Sequence, residues 1–129
     1  MSKAETIERD IIIDDSRLVS FMGPELRVYG TPRMLADAEM ACRDLLLKQL
    51  DEGFDSVGVG VQLEHLGGAV GGDTVTVSAT LKSFDGRKAD FDVEVTRKGN
   101  VIGRIGHQRA AVPLDKLKQR IIAMQQGNA

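Results

Sequence analysis

The sequence predicts a single α+β domain in which an antiparallel sheet of about five strands curls around one long helix. Three observations predict it. Residues 31–50, TPRMLADAEMACRDLLLKQL, repeat apolar side chains at three- and four-residue steps, the period of one helix face. From Val57 onward the apolar period drops to two and stays there through four successive segments. Those segments are joined mostly by short turn signals, and consecutive hairpins require antiparallel pairing. With one apolar face on each strand and one on the helix, a sheet wrapped around the helix is the economical way to bury them all.

Taken in order, IERDIII at 7–13 reads as a first strand, and residues 14–30 mix charge, Gly and Pro as a lid-like loop with a short turn of helix. Thr31 offers an N-cap with Pro32 at the first helical position, where its missing N–H costs nothing. The helix should end near DEGFD, with Gly53 in a left-handed C-terminal conformation. Val57, Val59, Val61 and Leu63 then form the apolar face of a second strand. GGAVGGD connects it to a third strand that carries Val75, Val77, Ala79 and Leu81. Asp85 and Gly86 make a hairpin turn into a strand with Ala89, Phe91, Val93 and Val95. RKGN turns again into VIGRIGHQRAAV, and residues 114–129 close the chain as an amphipathic helix and polar tail. No repeat or linker interrupts residues 1–129, so one domain is expected.

Composition narrows the function. A net charge of -2, with no Trp, one Tyr and four Phe, gives neither the field nor the stacking surface that nucleic acid needs. MSKAETIERD has no apolar core and does not read as a secretory signal, and no run approaches a membrane span. Cys42 is the lone cysteine, so no intramolecular disulfide forms and a cytoplasmic location is expected. GGAVGGD precedes a strand, not a helix, and lacks Gly-Lys-Ser/Thr, which excludes the nucleotide fingerprints. Glu64, His65 and His107 have no dedicated metal spacing, and Cys42 reads as a small buried hydrophobe. No metal or cofactor is expected.

Several polar residues break the pattern. Glu39 stands four after Leu35 and three before Cys42, in the apolar stripe of the helix, where an unpaired carboxylate is costly. On the second strand the alternation carries His65 onto the apolar face, so Glu39 and His65 could meet as an acid–base pair. Thr31 lies eight residues before Glu39, roughly 12 Å along the axis, and would act on a different part of a substrate. Gly58 and Gly60 clear one face of a Val-rich strand, as close approach of a ligand requires. His107 and Arg109 share a face of the last strand, where Arg109 could meet an anion or a carbonyl.

Four segments, TPRMLADAEMAC, SVGVGVQLEHLGGAVGGDTVTVSATL, DGRKADFDVEV and IGRIGHQRAAV, resemble the hot-dog fold acyl-CoA thioesterases, and within them the fluoroacetyl-CoA thioesterase group. The resemblance covers about residues 30–120 and rests on the spacing of Thr31, Glu39 and His65 and on His-x-Arg in the last strand. It implies a hot-dog domain that hydrolyses a short or small acyl-CoA thioester, with Thr31, Glu39 and His65 catalytic. It further implies that Gly58 and Arg109 contact substrate, and that a homodimer forms with the site at the subunit interface. Residues 14–30 depart from the group. Where the fluoroacetate-specific enzyme has an aromatic-rich lid, this chain has Phe21, Met22, Glu25, Leu26 and Tyr29. The alternatives are a hot-dog hydratase or dehydratase, which wants an Asp–His constellation, and a non-catalytic acyl-CoA-binding module.

Overall fold

The computed structural model describes residues 5–127. In chain order it contains β1 (Glu5–Ile12), a single 3-10 turn (Asp15–Arg17), α1 (Thr31–Leu47), β2 (Phe54–His65), β3 (Thr74–Phe84), β4 (Lys88–Arg97), β5 (Asn100–Pro113) and α2 (Leu114–Gln125). The strands form one antiparallel sheet in the order β1-β3-β4-β5-β2, so β1 and β2 are its edges. α1 touches all five strands. Five strands spaced about 4.8 Å apart are wider than a helix of roughly 10–12 Å diameter, so the sheet must bend around α1 to reach it everywhere. The expected α+β architecture is therefore the one observed.

The core lies between α1 and the inner faces of β3, β4 and β5. Val75, Val77, Ala79, Leu81, Ala89, Phe91, Val93 and Val95 are buried, in the alternation read from the sequence. Cys42 is buried among them, and desolvation pushes its thiol up to about 12, which keeps it protonated and inert. The hairpins also follow their turn residues. Lys98 and Gly99 both have positive φ between the paired Arg97 and Asn100, and Asp85 accepts the backbone N–H groups of Arg87 and Lys88.

Four expectations need correction. The N-cap of α1 is Gly30, and Thr31 is already helical, so its hydroxyl is not spent on a cap. α1 ends at Leu47, whereas Gly53 uses its φ of +86° in the tight turn where the N–H of Phe54 bonds the carbonyl of Asp51. The fully buried face of α1 is Met34, Ala38, Ala41, Cys42, Leu45 and Leu46. Leu35 and Glu39 therefore sit on the border of that stripe, not at its centre.

The largest departure is in β2. Gly58 pairs Arg109 and Gly60 pairs Gln108, so Val59 is an extra residue, a β-bulge. Beyond it Val61, Leu63 and His65 pair His107, Ile105 and Gly103 on the inner face, as the alternation predicts. Before it the phase is reversed: Ser56 and Gly58 face inward and Val57 outward, whereas Gly60, just past the bulge, faces outward. Gly58 and Gly60 thus clear opposite faces of the strand, where one shared face was expected.

Candidate active site

Glu39 projects from the border of α1 toward the inner face of β2 and β5, and its side chain is 38% exposed. Its Oε2 lies 3.7 Å from Nη1 of Arg109 and 3.8 Å from Nε2 of His107. Gly58 makes room for it, because a Cβ there would stand 2.8 Å from that same oxygen. Any side chain at position 58 would take the carboxylate's place.

Behind Glu39 is a buried polar brace. Nε of Arg109 donates to the Ser56 hydroxyl at 2.7 Å, and Nη2 donates to the Ser56 carbonyl at 2.8 Å. Nη1 donates to Nε2 of His107 at 3.1 Å. An arginine is always a donor, so Nε2 must accept, and Nδ1 then carries the proton that it donates to the Gly60 carbonyl at 2.8 Å. Burial lowers the proton affinity of His107 and so favours this neutral form, as does Arg109, whereas the Gly60 carbonyl and Glu39 oppose it. His107 also stacks on Phe91 at 6.2 Å between ring centroids. This brace fixes one guanidinium N–H edge and one imidazole edge beside a carboxylate that reaches solvent.

Toward the N-terminus of α1, the Thr31 hydroxyl is 2.7 Å from Nδ1 of His65. His65 is half-buried at the end of β2, and the Tyr29 ring meets it edge to face. The expected pairing of Glu39 with His65 is therefore replaced by two others: Thr31 with His65, and Glu39 with His107 and Arg109. The reason is the length of helix between them. Eight residues separate Thr31 from Glu39, about 12 Å of helix axis, and His65 stands at the Thr31 end.

A family model described as fluoroacetyl-CoA-specific thioesterase matches residues 13–115. The chain belongs to that family. It is an acyl-CoA thioester hydrolase with the hot-dog fold. The fluoroacetyl-CoA thioesterase of Streptantibioticus cattleyicolor is 27% identical over 128 residues, covering 94% of this chain and 92% of that one. A solved structure of the fluoroacetyl-CoA thioesterase superposes with a TM-score of 0.84 at 27% identity, covering 94% of this chain and 95% of that one. A hot-dog-like protein from Thermanaerovibrio acidaminovorans has the same fold, with a TM-score of 0.85 at 23% identity over 94% of this chain and 90% of its own.

Two members of this polar cluster, His107 and Ser56, have no assigned role in the sequence reading. His107 carried a signal, since it shares a strand face with Arg109 and stands in the His-x-Arg of the last strand. Ser56 carried none, because the bulge that turns it inward is invisible in an alternation of Val and Gly. Arg109 is 6% exposed, with three of its five N–H donors bonded to Ser56 and His107.

Proposed function

We propose that this thioesterase hydrolyses a small acyl-CoA to the free acid and CoA, with Thr31, Glu39 and His65 as the catalytic groups. The observation that carries the reading is the Glu39 carboxylate, held between a buried Arg–His brace and the side-chain-free inner face of Gly58 while still open to solvent. Such a group can take a proton from a water as the water oxygen attacks the thioester carbonyl. The tetrahedral intermediate then collapses with cleavage of the C–S bond, and the departing thiolate needs a proton. An imidazolium at His65, its Nδ1–H donating to the Thr31 hydroxyl oxygen, keeps its Nε2–H free to serve as that acid and returns to the neutral ring once the proton is given. The reaction needs no cofactor, and the substrate's acyl end is bounded by Gly58, with Arg109 acting through its neighbours.

Glu39 and His65 belong to separate clusters within one subunit, so we propose that a homodimer completes the site. β2 is an edge of the sheet, and Val59 (58% exposed), Val61 (44%) and Met40 (51%) lie uncovered on or beside it. Antiparallel pairing of two β2 edges about a twofold axis runs the His65 end of one strand toward the Gly58 end of the other. That brings the Thr31–His65 pair of one subunit to the Glu39 of its partner. The whole chain then acts as one hot-dog domain per subunit. Its buried lone Cys42 suits a reducing cytoplasm, and neither nucleic acid nor membrane has a part in the proposal.

The test is release of free thiol from a panel of short acyl-CoAs, followed with sedimentation of the same sample. Thiol release by a dimer is the expected result. A hydratase would consume an enoyl-CoA without releasing thiol, and a binding module would turn nothing over. A monomer with full activity would remove the interfacial site.

A further inference from the structure

Tyr29 is the lone tyrosine of the chain, and it is 1% exposed at the end of a loop. Its ring centroid lies 6.3 Å from that of His65 with the planes at 76°, inside the roughly 4.5–7 Å range of a T-shaped aromatic contact. Two polar ties hold Tyr29 there. Its hydroxyl donates to Oδ2 of Asp37 at 2.5 Å, and its backbone N–H donates to the Ala69 carbonyl at 2.9 Å. Asp37 in turn takes two N–H groups from Arg17, Nε at 2.9 Å and Nη2 at 2.8 Å, in the bidentate geometry that best fixes a carboxylate. Arg17 belongs to the 3-10 turn, and its own carbonyl accepts the N–H of Gly30, the residue that caps α1.

Desolvation, then the Asp37 hydrogen bond, hold the Tyr29 phenol far above its ordinary pKa, so it remains a donor. The carboxylate of Asp37 is 11% exposed and spent wholly on Arg17 and Tyr29. Neither residue is placed to touch a thioester. What they share is the wall against which one side of the His65 ring rests, while Thr31 holds the other end through Nδ1. An imidazole at the exposed end of an edge strand has few other constraints on its ring angle.

We propose that Tyr29, anchored by Asp37 and Arg17, is a positioning residue that sets the orientation of His65 for thioester cleavage. The proposal rests on the role given above to His65. It makes the 14–30 loop a part of the catalytic scaffold through its base, independently of what its tip binds. Removing the ring should cost turnover and leave substrate binding alone, because the ring acts on a proton donor and on no part of the substrate.

The experiment compares Tyr29→Leu and Tyr29→Phe in the otherwise intact protein and in a His65→Ala background. Tyr29→Leu should lower kcat about tenfold with KM nearly unchanged, less than the ~100-fold that a 1 Å misplacement can cost. Tyr29→Phe keeps the ring and should recover most of that loss. In the His65→Ala background Tyr29→Leu should cost almost nothing further, since residues acting as a unit are not additive. Independently of activity, the imidazole proton resonances of His65 should broaden in Tyr29→Leu as the ring samples more than one orientation, and unchanged resonances there would count against the proposal. Should Tyr29→Leu fail to fold, Asp37→Asn carries the same comparison. A tenfold loss that persists on top of His65→Ala, or equal losses in Leu and Phe, would overturn the positioning role alone. A fully active His65→Ala enzyme would overturn the reading of His65 itself, and the positioning role with it.

Discussion

Gly58→Ala is the sharpest probe of the carboxylate. An alanine Cβ would stand 2.8 Å from Oε2 of Glu39, 3.2 Å from Cε1 of His107 and 3.6 Å from Nη1 of Arg109. Ordinary contact begins at 3.4 Å, so Oε2 must retreat by at least 0.6 Å, the difference between 3.4 and 2.8. The two neighbours respond differently. His107 is 2% exposed and bonded through both ring nitrogens, so it cannot move, whereas Glu39 is the free end of a flexible, half-exposed side chain. The carboxylate is therefore the group displaced. Misplacing a catalytic group by about 1 Å can cost ~100-fold, so a loss of ten- to a hundredfold in kcat is expected. Stability should change by less than about 1 kcal/mol, because relieving a strand glycine of its conformational entropy offsets the lost contact. The assay is thiol release normalised to folded protein, together with thermal unfolding. Gly106→Ala is the control, as a Cβ there meets nothing within 4 Å and should leave activity intact. Wild-type turnover in Gly58→Ala, or a stability loss above ~3 kcal/mol from so compliant a clash, would refute the reasoning.

Four further outcomes follow from the same geometry. Glu39→Gln should fold normally yet lose at least about two orders of magnitude in thiol release, the scale of a lost acid–base group. Mixed and reassorted Glu39→Gln and His65→Ala subunits should regain up to about a quarter of wild-type activity if the site is shared across a twofold interface, because half the dimers then hold one intact site of two; no recovery would place both groups in one subunit. Arg109→Ala should cost roughly 2–4 kcal/mol in urea unfolding, since Ser56 and His107 each lose a buried donor. Finally, burial lowers the pKa of His107 from 6.5, so above pH 6.5 it is neutral folded or unfolded, and below that the unfolded chain takes the proton first. Stability should therefore fall as pH drops from 6.5 through the folded-state pKa, and His107→Asn should flatten that slope in unfolding curves collected between pH 5 and 7.5.

What the sequence made legible was whatever depends on period alone. β3 and β4 bury each residue that alternation assigns inward, because both are central strands with one helix-covered face. Glu39 stood out because charge on a helical stripe is locally detectable. Its partner did not, since the choice between His65 and His107 depends on strand order, and β5 lies between β4 and β2 for reasons outside any single segment. Thr31 matched two local roles equally well, and Gly30 decided between them by bonding Arg17 in a distant turn. The bulge at Val59 was the least accessible, because its sequence of alternating Val and Gly is what a regular strand would show.

That bulge sets a rule of parity. Gly58 and His65 are seven residues apart, an odd separation, so a regular strand would put them on opposite sides of the sheet. One surplus residue between them converts odd to even and delivers both to the same compartment. A shortened chain that drops Val59 would still direct both inward, on a regular strand with six-residue spacing. An insertion anywhere else between Gly58 and His65 without a second bulge would export the histidine to the far side while leaving every side chain unchanged. The count of residues across this stretch is thus as much a part of the site as their identities.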